Sequence, residues 1–272
     1  MAVNAQTLAR GAGHGAAFAV RQYAPAALLL GALVLFWEAW VRVFDTKDYI
    51  LPAPSAVWSA FMDTADLLPP HIRTTMTEAI VGLLVAAVAG VVLAVLIASV
   101  PLVRRVLYPL LIVSQTIPMI VLAPLLIIWF GFGLTPKIVV VALIGFFPIV
   151  VATTDALMRA DPDMVGLVRS MGANRWQVLR NVLIPGATPA FFSGLQIAAA
   201  YAVTGAVIGE WIGASSGLGL FIERSRTSFQ TDQVFVAVIV VALASLALFA
   251  AVNIAARIAS PWMYAHETEE DR

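Results

Sequence analysis

The fold class predicted is all-α: a polytopic membrane protein with six transmembrane helices and a short cytoplasmic amphipathic helix between the fourth and fifth. Three observations predict it. Of 272 residues, 61% are hydrophobic and 12% charged, against roughly 45–50% and about 25% in soluble domains. Runs of about 20 mostly apolar residues, enough to cross a hydrocarbon core, recur six times. Runs this long exceed a barrel strand, and helices are the other structures that satisfy their backbone polar groups in lipid.

The six runs are 22–43, 78–100, 105–130, 138–157, 188–212 and 235–259. The last five contain long stretches free of charge; the first carries Glu38 and Arg42 near its end. It follows a long Ala/Gly-rich tail and lacks the short core of a cleaved signal, so it reads as a retained helix. An even number of crossings puts both termini on one side. With that side cytoplasmic, the inner segments hold Arg10, Arg21, Arg104, Arg105, Arg159, Arg169, Arg175, Arg180, Arg257 and Arg272, and the outer ones Arg42, Lys47, Arg73, Lys137, Arg224 and Arg226. The excess has the positive-inside sign. The expected organisation is a cytoplasmic tail (1–21), a transmembrane domain (22–260) with a cytoplasmic loop (158–187), and an acidic cytoplasmic tail (261–272) that reads as disordered. Segment 44–77, with Pro52, Pro54, Pro69 and Pro70, reads as an outward-facing loop.

Several chemistries are disfavoured at once. Lys plus Arg equals Asp plus Glu at 16 each, so no basic excess points to nucleic acid, and with no cysteine there is no disulfide or thiol site. His14, His71 and His266 lie outside the apolar runs, which argues against a histidine base or a His-rich metal site within the membrane.

The loop after the fourth run is patterned. Asp161 is placed to cap a helix and Pro162 suits its first position. Met164, Leu167, Val168 and Met171 follow at i, i+3, i+4 and i+7, one apolar stripe, and Gly172 ends the helix. Trp176, Leu179 and Leu183 suggest a second short helix, and Pro185 and Pro189 are expected to break the chain before the next span. Two amphipathic helices with an elbow at Gly172 would present apolar knobs and arginines either to a cytoplasmic partner or to lipid headgroups. The third run is expected to kink at Pro118 and Pro124. Ser114, Gln115 and Thr116 beside the first kink are costly in lipid unless paired, so they line a pore or bond between helices. Glu210 beside Trp211 reads as a partly hydrated interfacial acid or a group at a solute gate. Gly82 and Gly90 read as helix-packing positions.

The run MGANRWQVLRNVLIPGATPAFFSGLQIA (171–198) resembles the signature loop of permease subunits of bacterial binding-protein-dependent ABC importers: Glu-Ala-Ala, three residues, Gly, about nine residues, then an apolar residue, any residue and Leu-Pro. Gly172 and Pro185 match, Ile184 replaces the Leu, and Gly166, Leu167 and Val168 replace Glu-Ala-Ala. LPAPSAVWSAF (51–61), SQTIPMIVLAPLLIIWFGFGLTPK (114–137) and GAVIGEWIGASSGLGLFI (205–222) resemble the nitrate, sulfonate and taurine branch. SQTIP, LVRSMGA and GEWIGAS are closer to a sub-branch importing hydroxymethylpyrimidine-type thiamine precursors or riboflavin.

The resemblance implies a non-catalytic transport subunit in the bacterial inner membrane, with an expected second copy of the chain, a pair of ABC ATPases and an extracytoplasmic solute-binding protein as partners. The chain has no Gly-Lys pair and so no phosphate-binding P-loop. ATP and Mg would belong to the ATPase, with no cofactor or metal held here. The ATPase-coupling residues implied are Met164, Leu167, Val168, Arg169, Met171, Gly172, Ala173, Arg175, Trp176 and Pro185. The pore-lining candidates are Ser114, Gln115, Thr116, Pro118 and Glu210. With no Lys or Arg deep in an apolar run, a strongly anionic solute would find no fixed positive partner, which favours a neutral polar heterocycle over a sulfonate, taurine or nitrate. Two competing readings are weaker. An intramembrane protease lacks a histidine base, and an ion-coupled secondary transporter lacks visible repeats.

Overall fold

The computed structural model describes residues 5–261, with side chains from residue 24 onward. The acidic tail beyond Pro261, His266 and the side chains of Arg10, His14 and Arg21 lie outside the described residues. Helix α1 (Ala5–Val43) is followed by α2 (Pro54–Thr64), α3 (Leu68–Ser99), α4 (Pro101–Ser114), α5 (Met119–Phe130) and α6 (Leu134–Met158). Then come α7 (Pro162–Ser170), α8 (Arg175–Val178), a π-helical turn (Leu179–Leu183), α9 (Ile184–Glu210), α10 (Leu218–Thr227) and α11 (Thr231–Ala259). No strand occurs among the described residues. Five segments are long and apolar enough to cross a membrane: Ala24–Val43, Leu68–Ser99, Leu134–Met158, Arg175–Glu210 and Thr231–Ala259. The pair α4 and α5 makes a sixth, bent by 104°.

Helix α1 runs through the expected border at 21/22, and its membrane-length apolar stretch is Ala24–Val43. Three expectations are corrected. Segment 44–77 is not a loop throughout, since Pro54 starts α2 and α3 begins ten residues before the expected border at 78. The third run is two helices rather than one kinked rod. Pro118 has no N–H and disfavours α geometry at Ile117, so the chain turns over 115–118 and α5 restarts after Pro118 in extended conformation. Pro124 sits inside α5 and breaks nothing. Finally, Pro185 and Pro189 do not interrupt the chain: α8, the π-helical turn and α9 run on as one 36-residue rod. In the turn the Ile184 N–H bonds Leu179 O, and the wider spacing absorbs the extra residue ahead of Pro185.

The core is α3, α6 and α9 with α11 against α9. Its buried residues are small: Ala79, Ala86, Ala198, Ala199, Ala202 and Ala206 interleave with Leu83, Val141, Ile149 and Val203. Lipid tails are as apolar as Leu, so helices in a membrane associate through close packing and small residues permit it. Gly82 faces Val141 and Gly90 faces Ile149, the packing role expected of both. Gly194 is tighter still, because a Cβ there would stand 2.7 Å from Pro148 O and 2.9 Å from Ile149 Cα. Both are backbone atoms that cannot swing aside. Gly194→Val is expected to lose about 1–3 kcal/mol by overpacking and to lower the melting temperature of the detergent-solubilised protein. An unchanged melting curve would contradict the α6–α9 contact.

Candidate functional site

Three features carry chemistry, and they lie at one end of the bundle, at its other end and between. At the first end is the α7–α8 segment. Asp161 accepts a hydrogen bond from the Asp163 N–H at 2.8 Å and caps α7. The helix closes in a Schellman motif: Gly172 N–H donates to Arg169 O and Ala173 N–H to Val168 O, at 2.9 and 3.2 Å, with Gly172 at φ +90°. Asn174 and Gln177 form a reciprocal capping box at the start of α8. Two short helices are thus fixed at an elbow by local hydrogen bonds.

The apolar stripe of α7 is left largely uncovered. Met164, Leu167 and Met171 are 52%, 59% and 79% exposed, and Trp176 on α8 is 64% exposed, while Val168 and Ala173 are half-buried. The second stripe divides: Trp176 points out, whereas Leu183 packs on the Ala94, Leu157 and Ala187 cluster. Buried Val178 anchors α8. Arg169 and Arg175 are exposed, with no ion pair among the described residues. Pro185 lies on the surface of the continuous rod. At Gly166 nothing lies within 4 Å of a built Cβ, so a larger side chain fits there.

At the opposite end lies a cluster the sequence reading missed. Lys137 Nζ donates to Glu78 Oε1 at 2.7 Å, with both side chains buried. Thr75 Oγ1 donates to Glu210 Oε1 at 2.6 Å, the Gly219 N–H donates to Glu210 Oε2, and the Leu218 N–H donates to Thr75 Oγ1 at 2.8 Å. His71 Nδ1 stands 3.0 Å from the Gly217 nitrogen, and Glu78 Oε2 has no hydrogen-bond partner among the described residues. The cluster fastens α3, α6, α9 and α10 to one another.

Two expectations fall here. Glu210 is 1% exposed, neither partly hydrated nor lining a pore, because its oxygens are committed and Gly217 at φ +127° lies against its carboxylate. Lys137 is a buried cation within α6 and not a loop charge, and Glu78 neutralises it. A signal was present: Glu78, Lys137 and Glu210 each border an apolar run on the same predicted side of the membrane.

Between the ends, the turn at 115–118 resolves the polar triplet. Ser114 Oγ donates to Leu111 O and Thr116 Oγ1 to Val113 O, at 2.7 and 2.8 Å. Both hydroxyls are satisfied within their own chain segment. Gln115 alone has no side-chain hydrogen bond among the described residues and is exposed. It borders a cavity of about 510 Å³ with Phe147, Pro148 and Tyr201.

Comparison with known proteins agrees with this architecture. Residues 72–264 match the family described as binding-protein-dependent transport system inner membrane component. The formylaminopyrimidine transport permease protein ThiX of Halalkalibacterium halodurans is 36% identical over 231 residues, covering 85% of this chain and 92% of that protein. The riboflavin transport system permease protein RibX of Chloroflexus aurantiacus is 37% identical, covering 88% of this chain and 89% of the other. Among solved structures, an inward-facing MetNI methionine ABC transporter covers 72% of this chain and 97% of its own at a TM-score of 0.64 and 20% identity, a likeness of fold. With its charge-poor helices and capped elbow, the chain belongs to the binding-protein-dependent transport system inner membrane component family, the membrane-spanning permeases of ABC importers.

Proposed function

We propose that two copies of this chain form the solute path of an importer whose ATP is hydrolysed by a separate pair of ATPases, with solute delivered by an extracytoplasmic binding protein. Both termini and the α7–α8 elbow face the cytoplasm, in keeping with the positive-inside distribution. The solute is a planar nitrogen heterocycle, a thiamine-precursor pyrimidine or riboflavin, as the names of the relatives indicate and as a path without unpaired cations favours. ATP and Mg are held by the ATPase, and this chain supplies no cofactor site.

The observation that carries the coupling role is the uncovered stripe of Met164, Leu167 and Met171 on α7, a helix capped at both ends, continued by exposed Trp176 on α8. A membrane-surface helix that only rests on headgroups needs no elbow held by a Schellman motif and a capping box. A docking helix does, because its orientation transmits motion. The stripe seats in an apolar groove of the ATPase, and Arg169 and Arg175 pair with acids on the rim.

Co-purification tests this. Leu167→Ser with Met164→Ser removes two exposed apolar side chains and leaves the bundle untouched. Truncating anchors of this kind costs about 2 kcal/mol, or roughly 30-fold in affinity, so the ATPase should be lost from the detergent-solubilised permease. Undiminished co-purification would remove the docking role. In proteoliposomes holding the complete transporter, ATP-dependent uptake of the heterocycles over taurine and nitrate is expected; the reverse preference would refute the solute class.

A further inference from the structure

The cavity beside the helix break lies at mid-membrane depth. It is walled by Gln115 from the turn after α4, Phe147 and Pro148 from α6, and Ile197 and Tyr201 from α9. Phe147 and Ile197 are within a residue of the midpoints of α6 and α9. At that depth an amide and a phenol have no water on a lipid face. Yet Gln115 is exposed and Tyr201 is 57% exposed, and neither side chain has a hydrogen bond among the described residues. Non-helical backbone such as the 115–118 turn is likewise tolerated at membrane depth only where it lines a cavity or is covered by protein. The three facts agree that this face of the chain looks onto a polar passage.

We propose that this cavity is the position at which solute is bound during passage, and that Gln115, Phe147 and Tyr201 select a planar nitrogen heterocycle. The inference rests on the reading of the chain as the subunit that forms the solute path. Its volume of about 510 Å³ falls within the range of small-molecule sites. The Gln115 amide offers one acceptor and two donors in a plane, matching the adjacent ring nitrogen and amino group of an aminopyrimidine, or the carbonyl and imide N–H of a flavin. Tyr201 adds a hydroxyl, and the Phe147 ring a flat apolar surface. Ile144, Val151 and Ala152 complete the wall with no charge, so a sulfonate or nitrate would be desolvated without a counter-ion. Ser114 and Thr116 take no part, since their hydroxyls are already bonded.

The test uses the complete transporter, permease with ATPase and binding protein, in proteoliposomes, with labelled formylaminopyrimidine, riboflavin and taurine as probes. Gln115→Leu is expected to cut uptake of the heterocycles about tenfold, the loss that follows when a desolvated ring edge is left unpaired. Tyr201→Phe should cut it less. In both, stimulation of ATP hydrolysis by the binding protein should stay within about twofold of wild type, since the α7–α8 elbow is untouched. Wild-type uptake by Gln115→Leu overturns the site. A parallel fall in stimulated ATP hydrolysis overturns it too, by making Gln115 a residue of the moving frame. If the wild type carries taurine and neither heterocycle, the solute reading of the transporter itself fails and the ligand class falls with it. That outcome is read from the wild-type arm, apart from the variants.

Discussion

Lys137→Met abolishes most of the folded protein recoverable in detergent, the largest loss expected of any single substitution in this chain. The substitution keeps most of the unbranched side chain and deletes the cation that faces Glu78 at 2.7 Å. Glu78 is 1% exposed and Glu210 equally so, so two carboxylates remain inside the bundle with no counter-charge. Removing one partner of a buried pair costs about 3–5 kcal/mol, a large share of the stability of most folds. The second substitution that identifies the cause is Glu78→Gln. Added to Lys137→Met, it removes the carboxylate that had faced the lysine, leaves Glu210 with its Thr75 and Gly219 donors, and is expected to recover more than half of the lost melting temperature. Equal destabilisation in the single and double variants would mean that Lys137 acts through packing alone.

Gly172→Val leaves the bundle intact and uncouples it. Gly172 has φ +90°, a region where a β-branched residue is a severe outlier. Since nothing lies within 4 Å of a built Cβ, the effect is on the backbone and not on packing. Loss of the positive φ dissolves the two Schellman bonds and frees the angle between α7 and α8. Uptake by the reconstituted transporter should fall at least about tenfold, with ATP hydrolysis persisting and the melting temperature of the permease unchanged. Gly172→Asn, which tolerates the left-handed region, should keep much of the uptake. Normal uptake by the Val variant would dismiss the elbow as a coupling element.

These two positions show unequal legibility in the sequence. Gly172 was readable because helix termination is local: an apolar stripe, a cap at Asp161 and a glycine at the right distance determine it. The five single spans were readable for a similar reason, as each contains a long apolar stretch with its charges near the ends. Lys137 and Glu210 were misread because the same rule treats a charge as the border of a span. A charge neutralised by a partner on another helix is no border, and the partner is 59 residues away for Lys137. The polar triplet was located but not apportioned. Which of Ser114, Gln115 and Thr116 stays free depends on the path of the turn after Ile112, which residue types alone do not set. The prolines failed in both directions: Pro118 turned a kink into a 104° bend, while Pro185 and Pro189 were absorbed by a π-helical turn.

That turn has a mechanical consequence. Arg175–Glu210 is an uninterrupted shaft of 36 residues, roughly 54 Å long at 1.5 Å per residue, with Trp176 exposed at one tip and Glu210 bonded to α3 and α10 at the far tip. Had Pro185 severed it, a torque on α8 would have dissipated in a hinge. With the shaft whole, a twist entering at the elbow arrives at the Glu210 cluster, and α3, α6 and α10 turn with it as one block.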